Sequence, residues 1–246
     1  MGTLYLVRHG QASFGAADYD QLSALGRQQS VRLGDYFRQK GLRFDTVLTG
    51  TLRRHQQTYA AIREGMEASF TVGPPHGEAA PAGSGAAHEA ASAGTPLLWP
   101  GLNEFDSEAV IATVHPHKLE KPDTPELYRH HFRLLRDGLT QWMNGVVSPN
   151  GMPSYREFRL GVTSALDHIR KNCEGNVLIV SSGGPIATAV GHVLGTTPET
   201  TIELNMRIRN SAITEFAFNP KRHSLVTFNT LPHLEHADHA SWITHA

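Results

Sequence analysis

Short apolar runs alternate along this chain with longer segments in which apolar residues recur every three or four positions. Apolar runs of four to six residues are typical of strands that a sheet buries on both faces. Such runs predict buried strands at 4–7, 44–49 and 177–181, and a closing strand pair at 213–218 and 224–228. Alternation of buried strands with amphipathic helices indicates an α/β fold with a mainly parallel sheet.

The helical segments are marked by their apolar spacing and by residues that favour helix ends. Ser23 is a suitable N-cap and Gly41 a suitable C-terminal stop, which predicts a helix from Ser23 to about Lys40. Ser154 followed by Glu157 is a capping-box pattern, and it predicts a further helix start. The other predicted helices span about 52–67, begin at 124–126, and run from 183–185 to near 195.

One segment, residues 71–96, departs from this alternation. It is rich in Ala, Gly, Pro and Ser and has almost no large apolar side chain to bury. Such composition is typical of a flexible surface insertion. We therefore expect a single domain over residues 1–246, in which 68–150 form a smaller helical cap that contains this flexible segment.

Composition and charge exclude several classes of function. Hydrophobic residues make up 39% and charged residues 18% of the 246 positions, as in ordinary globular proteins. A formal net charge of −1 argues against a nucleic-acid partner held by a broad cationic face. No apolar run approaches the roughly 20 residues of a membrane helix. Cys173 is the only cysteine, so we expect no intramolecular disulfide and a cytoplasmic location. Oligomeric state cannot be inferred from these features.

Three loops that follow predicted strands carry residues suited to binding an anion. They contain Arg8-His9-Gly10, the sequence TGTLRRHQQT at 49–58, and SSGGP at 181–185. In open α/β sheets, ligands bind at the carboxyl ends of the strands. Arginine matches phosphate oxygens with two parallel hydrogen bonds, and a glycine-rich turn that enters a helix presents N–H groups to an anion. The residues therefore predict a phosphate site.

At these positions the chain resembles the histidine phosphatase superfamily, the phosphoglycerate-mutase-like proteins. The resemblance rests on five segments in the family's order and covers nearly the whole chain outside the insertion. They are LVRHG at 6–10, LSALGRQQ at 22–29, the 49–58 segment, LNE at 102–104 and VLIVSSGGPI at 177–186. The tail NTLPHL at 229–234 is also similar to the family's pattern. The implied fold is the phosphoglycerate-mutase-like α/β/α arrangement.

The resemblance implies a role for each matching residue. His9 is the expected nucleophile, which becomes a phosphohistidine, and Glu104 the expected proton donor to the leaving oxygen. Arg8 and Arg54 are expected to hold the phosphoryl oxygens, and Ser182 and Gly183 to contribute further donors. The implied substrate is a small phosphorylated molecule, hydrolysed without a metal or other cofactor.

The chain departs from the family pattern at positions that bear on activity. Ser182 replaces the family's second histidine, and this replacement predicts slow turnover. His55 replaces an alanine, and Asp106 is a rival to Glu104 as the acid. The main alternative is a catalytically weak phosphate-binding protein, while a phosphoglycerate-type mutase is less favoured. A serine hydrolase based on Ser181 or Ser182 lacks the GxSxG motif and leaves the arginines unexplained.

Overall fold

The computed structural model describes residues 1–13, 20–67, 95–117, 119 and 124–245, and contains one six-stranded sheet. Its strands are β1 (Gly2–Arg8), β2 (Thr46–Thr49), β3 (Leu97–Leu98), β4 (Gly175–Ser181), β5 (Ile213–Asn219) and β6 (Arg222–Thr230). Their order across the sheet is β3-β2-β4-β1-β5-β6. The first four are parallel, while β5 and β6 are antiparallel to their neighbours, so the predicted mainly parallel sheet is confirmed.

Helices connect the strands and cover both faces of the sheet. They are α1 (Ala24–Gln39), α2 (Arg53–Glu67), α3 (Ser107–Ala112), α4 (Pro125–Met143), α5 (Tyr155–Asn172), α6 (Gly183–Leu194) and α7 (Pro198–Asn205). Short 3-10 helices occupy Pro100–Leu102, Pro232–Leu234 and Ala237–Trp242. The sequence pattern did not indicate β3, α3 or α7, because each has too few residues to establish a periodicity.

The helix ends follow the local rules that the sequence indicated. The Ser23 hydroxyl accepts a hydrogen bond from the Gly26 N–H at 3.0 Å, and Gly41 has a φ of +65°, a conformation open to glycine. Ser154 and Glu157 form the complete capping box at the start of α5. These ends are local, which is why they could be predicted.

The position of β4 between β1 and β2 determines which loops meet. Val180 of β4 pairs with both Val7 of β1 and Thr49 of β2, so the three strands end at the same level. The loops after these strands are therefore neighbours at one edge of the sheet. The motifs predicted from the sequence follow the four parallel strands and therefore lie at that edge.

Two apolar clusters lie on opposite faces of the sheet. One contains Leu4 and Leu6 from β1 with Trp142 of α4. The other contains Val7 of β1 with Phe37 of α1. This alternation along one strand is what burial on both faces requires, and it confirms the three-layer arrangement.

The predicted cap, residues 68–150, lies partly outside the described residues, since 68–94 are not described. Most of the segment predicted to be flexible, 71–96, falls in that part. Within the described part, α4 packs against α3, α5 and α7. The cap boundary and the single-domain assignment stay predictions. None of the described helices has both the length and the apolar character needed to cross a membrane.

Candidate active site

His9 lies directly after β1, almost fully buried, and its ring is held by its own loop. The ring Nδ1 lies 2.7 Å from the carbonyl oxygen of Gly10. Because a carbonyl only accepts, Nδ1 must carry the proton, and a neutral ring then has its lone pair at Nε2. The backbone N–H of His9 donates to the carbonyl of Ser181 at 2.9 Å, which fixes the residue against β4.

The electrostatic surroundings keep the His9 ring neutral. Burial holds the pKa of His9 well below its usual value of 6.5, and the nearby cations Arg8 and Arg54, together with His55, lower it further. The hydrogen bond to Gly10 acts in the opposite direction and is outweighed. A neutral imidazole with a free Nε2 lone pair is the form that can act as a nucleophile.

The loop that carries His9 is anchored on α1 and α2. The N–H of Gly10 donates to the Thr58 hydroxyl at 3.1 Å, and the N–H of Gln11 donates to the Gln29 side-chain oxygen at 2.8 Å. A Cβ on Gly10 would lie 2.2 Å from the Gly26 carbonyl oxygen, so only glycine permits this approach of loop and helix. The close packing leaves His9 little freedom to move.

The two arginines implied by the sequence are both buried at this edge of the sheet. The Arg54 guanidinium donates from Nη1 to the Asp20 carboxylate at 2.8 Å. The other oxygen of Asp20 accepts from the backbone N–H of Arg53 at 2.9 Å, at the first turn of α2. Arg8 donates from Nη1 to the carbonyl of Ile208. These hydrogen bonds limit the rotation of both guanidinium groups.

Glu104 lies at the same edge of the sheet, on the loop that follows β3. The N–H of Gly184 lies 3.1 Å from Oε1 and 3.2 Å from Oε2 of the carboxyl group. Burial raises the pKa of Glu104, while the Gly184 hydrogen bond and the cations Arg8 and Arg54 oppose that rise. A carboxyl with a raised pKa is better suited to donate a proton near neutral pH.

The loop before Glu104 is tied to the loop after β2. The Asn103 side-chain oxygen accepts from the Thr51 N–H at 2.7 Å, and its amide nitrogen donates to the Thr51 hydroxyl at 2.6 Å. The Ser181 hydroxyl donates to the carbonyl of Leu102 at 2.7 Å. These contacts hold Glu104 in register with β2 and β4.

Asp106, the rival acid, has a different position. Its Oδ1 accepts hydrogen bonds from the N–H groups of Glu108 at 2.9 Å and Ala109 at 3.0 Å. It is therefore the N-cap of α3, and its residue is exposed to solvent. We therefore expect Asp106 to stabilise the start of α3 and not to act as the proton donor.

Ser182 is fully buried at the start of α6, and its hydroxyl does not cap that helix. Instead, Ser182 Oγ lies 2.7 Å from Nε2 of His55. The His55 ring comes from α2, is also fully buried, and has its centroid 5.7 Å from that of His9. Burial and the Arg54 cation lower the pKa of His55 to about 3.

Gly183 is the first residue of α6 and borders the same cluster. A Cβ on Gly183 would lie 2.6 Å from the Asn205 side-chain oxygen and 3.8 Å from Oε2 of Glu104. The positive end of the 12-residue helix α6 points to this position, and helix N-termini favour anions.

The structure thus brings the predicted residues Arg8, His9, Arg54, Glu104, Ser182 and Gly183 together at one edge of the sheet. Sequence reasoning missed Asp20, His55 and Thr58 as partners of these residues. Thr58 lies one helical turn after Arg54, and that spacing could have placed both on the face of α2 that meets the site. Nothing in the sequence indicated the contacts of Asp20 and His55. Across the described residues, no group of three or more His, Cys, Asp or Glu side chains is arranged to hold a metal ion.

Comparison with known proteins finds sequence relatives and solved structures of similar fold. A broad-specificity phosphatase of Saccharomyces cerevisiae is 31% identical over 81 residues, which cover 28% of this chain and 35% of that protein. A structure of phosphoserine phosphatase from Entamoeba histolytica in complex with 3-phosphoglyceric acid is 20% identical, with a TM-score of 0.59 over 95% of this chain and 100% of the other. Phosphoglycerate mutase from Bacillus anthracis is 14% identical, with a TM-score of 0.59 over 94% of each chain.

The two structural likenesses show a shared fold, and the yeast phosphatase matches over about a third of its own length. The sequence model of the histidine phosphatase superfamily, branch 1, matches residues 4–75 and 111–231, which is more than half of the chain. These residues include four of the five segments that carry the resemblance, all but 102–104, and the first three residues of the tail at 229–234. The chain belongs to the histidine phosphatase superfamily, branch 1.

Proposed function

We propose that this protein is a phosphatase that hydrolyses phosphomonoesters through a phosphohistidine intermediate on His9. The observation that carries the proposal is the state of the His9 ring: buried, neutral, and with Nδ1 committed to the Gly10 carbonyl. The cationic side chains of Arg8 and Arg54 are close enough to the ring to lower its pKa. Membership of the histidine phosphatase superfamily and the similarity to a yeast phosphatase support the same activity.

In the proposed first step, His9 Nε2 attacks phosphorus in line with the leaving alcohol. The Nε2–P bond forms, the bond from phosphorus to the ester oxygen breaks, and Glu104 transfers its proton to that oxygen. Arg8 and Arg54 stabilise the negative charge on the phosphoryl oxygens, and the N-terminus of α6 at Gly183 contributes in the same sense. The raised pKa of Glu104 favours the protonated form that this step requires.

In the second step, water attacks the phosphohistidine. The Glu104 carboxylate, left ionised by the first step, accepts a proton from the water as its oxygen bonds to phosphorus. The Nε2–P bond breaks, inorganic phosphate leaves, and His9 and Glu104 return to their starting states. Both steps are completed with the side chains named, so we propose that the reaction needs no metal ion.

The test is hydrolysis of p-nitrophenyl phosphate by the purified protein, with and without a chelator. We expect turnover that survives the chelator and is abolished by His9→Ala. Rapid quenching with labelled substrate should leave an acid-labile, base-stable adduct on the peptide that contains His9. Turnover with an acid-stable adduct on a serine would contradict the proposed mechanism.

The second candidate is a phosphate-binding protein with little or no turnover. The observation that favours it is the engagement of the Ser182 hydroxyl with His55. By the resemblance to the family, Ser182 stands where a second histidine is expected. Calorimetric titration with inorganic phosphate, beside the hydrolysis assay, separates the two. Binding without turnover of any phosphomonoester in a broad screen would establish this second function. Release of inorganic phosphate, as opposed to isomerisation of 3-phosphoglycerate, separates a phosphatase from a mutase.

A further inference from the structure

His55 places a second imidazole ring in the candidate active site, beside Ser182 and near His9. Its ring and the side chain of Ser182 are both fully buried, and Nε2 and Oγ are 2.7 Å apart. The ring centroid is 5.7 Å from that of His9. The resemblance to the family places Ser182 at the position of a second histidine, and His55 of α2 puts an imidazole ring beside that position.

Gly50 leaves room for the His55 ring. A Cβ on Gly50 would lie 2.2 Å from Nδ1 and 2.8 Å from Cε1 of His55. The same loop after β2 is held by the two hydrogen bonds between Asn103 and Thr51. The ring is therefore enclosed on the side of Nδ1 and reaches Ser182 on the side of Nε2.

The hydrogen bonds of His55 indicate which nitrogen carries its proton. The ring is neutral near pH 7, since burial and Arg54 hold its pKa at about 3. Nδ1 has no hydrogen-bond partner among the described residues. A buried N–H without an acceptor is rarer than an acceptor without a donor, which favours the proton on Nε2. In that tautomer Nε2–H donates to Ser182 Oγ, and the hydroxyl proton of Ser182 is free to point elsewhere.

We propose that His55 is a positioning residue for the phosphatase reaction, and that His55 and Ser182 together replace the family's second histidine. The Nε2–H of His55 donates to Ser182 Oγ, and the Ser182 O–H donates to a phosphoryl oxygen of the substrate. Consecutive hydrogen bonds polarise one another, so the donor that faces the phosphate is stronger than an isolated hydroxyl. The inference rests on the proposed phosphatase activity.

Three substitutions of His55 separate the hydrogen bond from the volume of the ring. His55→Phe fills the space without a donor, His55→Ala removes both, and His55→Gln keeps an N–H at similar reach. We expect kcat/KM for p-nitrophenyl phosphate to fall about tenfold in the Phe and Ala variants, and to be largely retained in the Gln variant. Equal losses in the Gln and Phe variants would contradict the proposal.

A double-mutant cycle tests whether His55 acts through Ser182. Ser182→Ala should cost about tenfold in kcat/KM, and adding His55→Phe should cost little more, because the two residues form one donor chain. Multiplied losses in the double variant would show independent roles. The expected tautomer can be checked separately, since long-range ¹H–¹⁵N spectra report which His55 nitrogen carries the proton. A proton on Nδ1 would overturn the inference.

Restoring the family's histidine provides a test in the opposite direction. Ser182→His alone should lose activity, because the new ring would clash with the His55 ring. His55 Nε2 already lies 2.7 Å from Ser182 Oγ. The paired variant His55→Ala with Ser182→His makes room for it and should regain at least the parent kcat. A paired variant as poor as Ser182→His alone would contradict the exchange of roles.

A matched control is available in another buried serine–histidine pair, whose Ser211 backbone N–H donates to the His9 carbonyl at 3.2 Å. His233 Nε2 lies 2.9 Å from Ser211 Oγ, and both side chains are buried. His233→Phe should reduce thermal stability as His55→Phe does, yet leave kcat near the parent value. A comparable fall in kcat would mean that loss of any such pair disturbs the site, and the proposal would fail.

The inference can be separated from the proposed function by measuring phosphate binding. If the parent protein hydrolyses no phosphomonoester, the phosphatase proposal fails, and calorimetric titration with inorganic phosphate then tests the donor chain alone. Ser182→Ala and His55→Phe should each raise the Kd for phosphate about tenfold, and unchanged Kd values would overturn the inference. If turnover is present but the trapped phosphoryl group lies on Ser182, His55 is a base for a serine nucleophile and the positioning role is wrong.

Discussion

The carboxyl group of Glu104 and the backbone N–H of Gly184 are joined by contacts of 3.1 and 3.2 Å, across 80 positions of sequence. The absence of a side chain at Gly184 also leaves room for the Glu104 carboxyl group. A Cβ at position 184 would lie 2.2 Å from Glu104 Oε1 and 2.5 Å from a ring carbon of Phe105. The glycine thus orients the proposed acid from the opposite side of the site.

Gly184→Ala should therefore impair catalysis by displacing Glu104. We expect kcat for an alkyl phosphate to fall roughly 100-fold, in the range for loss of a general acid. The inhibition constant of inorganic phosphate should change little, because the arginines are untouched. In a Glu104→Gln background the same substitution should cost little more. Full activity in Gly184→Ala would contradict this close packing of Gly184 against Glu104 and Phe105.

Glu104→Gln and Asp106→Asn decide between the two candidate acids. Glu104→Gln should slow the hydrolysis of alkyl phosphates far more than that of p-nitrophenyl phosphate, whose good leaving group needs less protonation. The parent kcat/KM should fall as pH rises through the Glu104 pKa, which burial moves above its usual value, and this fall should vanish in the variant. Measured pH profiles with both substrates provide the check.

The same experiment on Asp106 serves as the control. Asp106→Asn retains an oxygen that can cap α3, so kcat and its pH dependence should remain near the parent values. A selective loss with alkyl phosphates in Asp106→Asn would instead identify Asp106 as the acid.

Arg54→Ala and Arg53→Ala test the assignment of the arginine in α2. Arg54 is 7% exposed, and its cation lowers the pKa of both His9 and Glu104. Arg53, by contrast, is exposed to solvent. Loss of one transition-state donor typically costs about 100- to 1,000-fold in kcat, and we expect this for Arg54→Ala. Arg53→Ala should lose less than about threefold, as surface substitutions usually do. Similar losses in steady-state assays would show that the assignment is wrong.

Buried neutral histidines should make the protein less stable as pH falls. His55 and His233 have a pKa of about 3 in the folded protein, against 6.5 when exposed. Between these values the unfolded chain binds one more proton per residue, so the unfolding free energy rises with pH, by about 1.4 kcal/mol per pH unit for each histidine. Urea unfolding from about pH 6 to about pH 4 measures the slope.

His233→Phe should reduce the slope of the unfolding free energy against pH by about 1.4 kcal/mol per pH unit, because the unfolded chain then has one histidine fewer to protonate. The comparison is internal, since the remaining carboxylates and histidines are unchanged. A slope equal to that of the parent would mean that His233 is not kept neutral by folding.

The sequence by itself determined the longer helices and strands and the order of the motifs. Apolar runs and capping residues such as Ser23 and Ser154 act within a few positions of the chain, so their effects can be recognised without the fold. The family pattern likewise singled out His9, Arg54 and Glu104, because their motifs are local.

Only the tertiary structure decided how those residues are supported. The contact between His55 and Ser182 joins positions 127 residues apart, and it exists because β4 lies next to β2 in the sheet. The contact of Asp20 with Arg54 likewise depends on how the loop before α1 meets α2. Burial sets the direction of the pKa shifts of His9 and Glu104, and burial is a property of the packed layers, which no short segment of sequence contains.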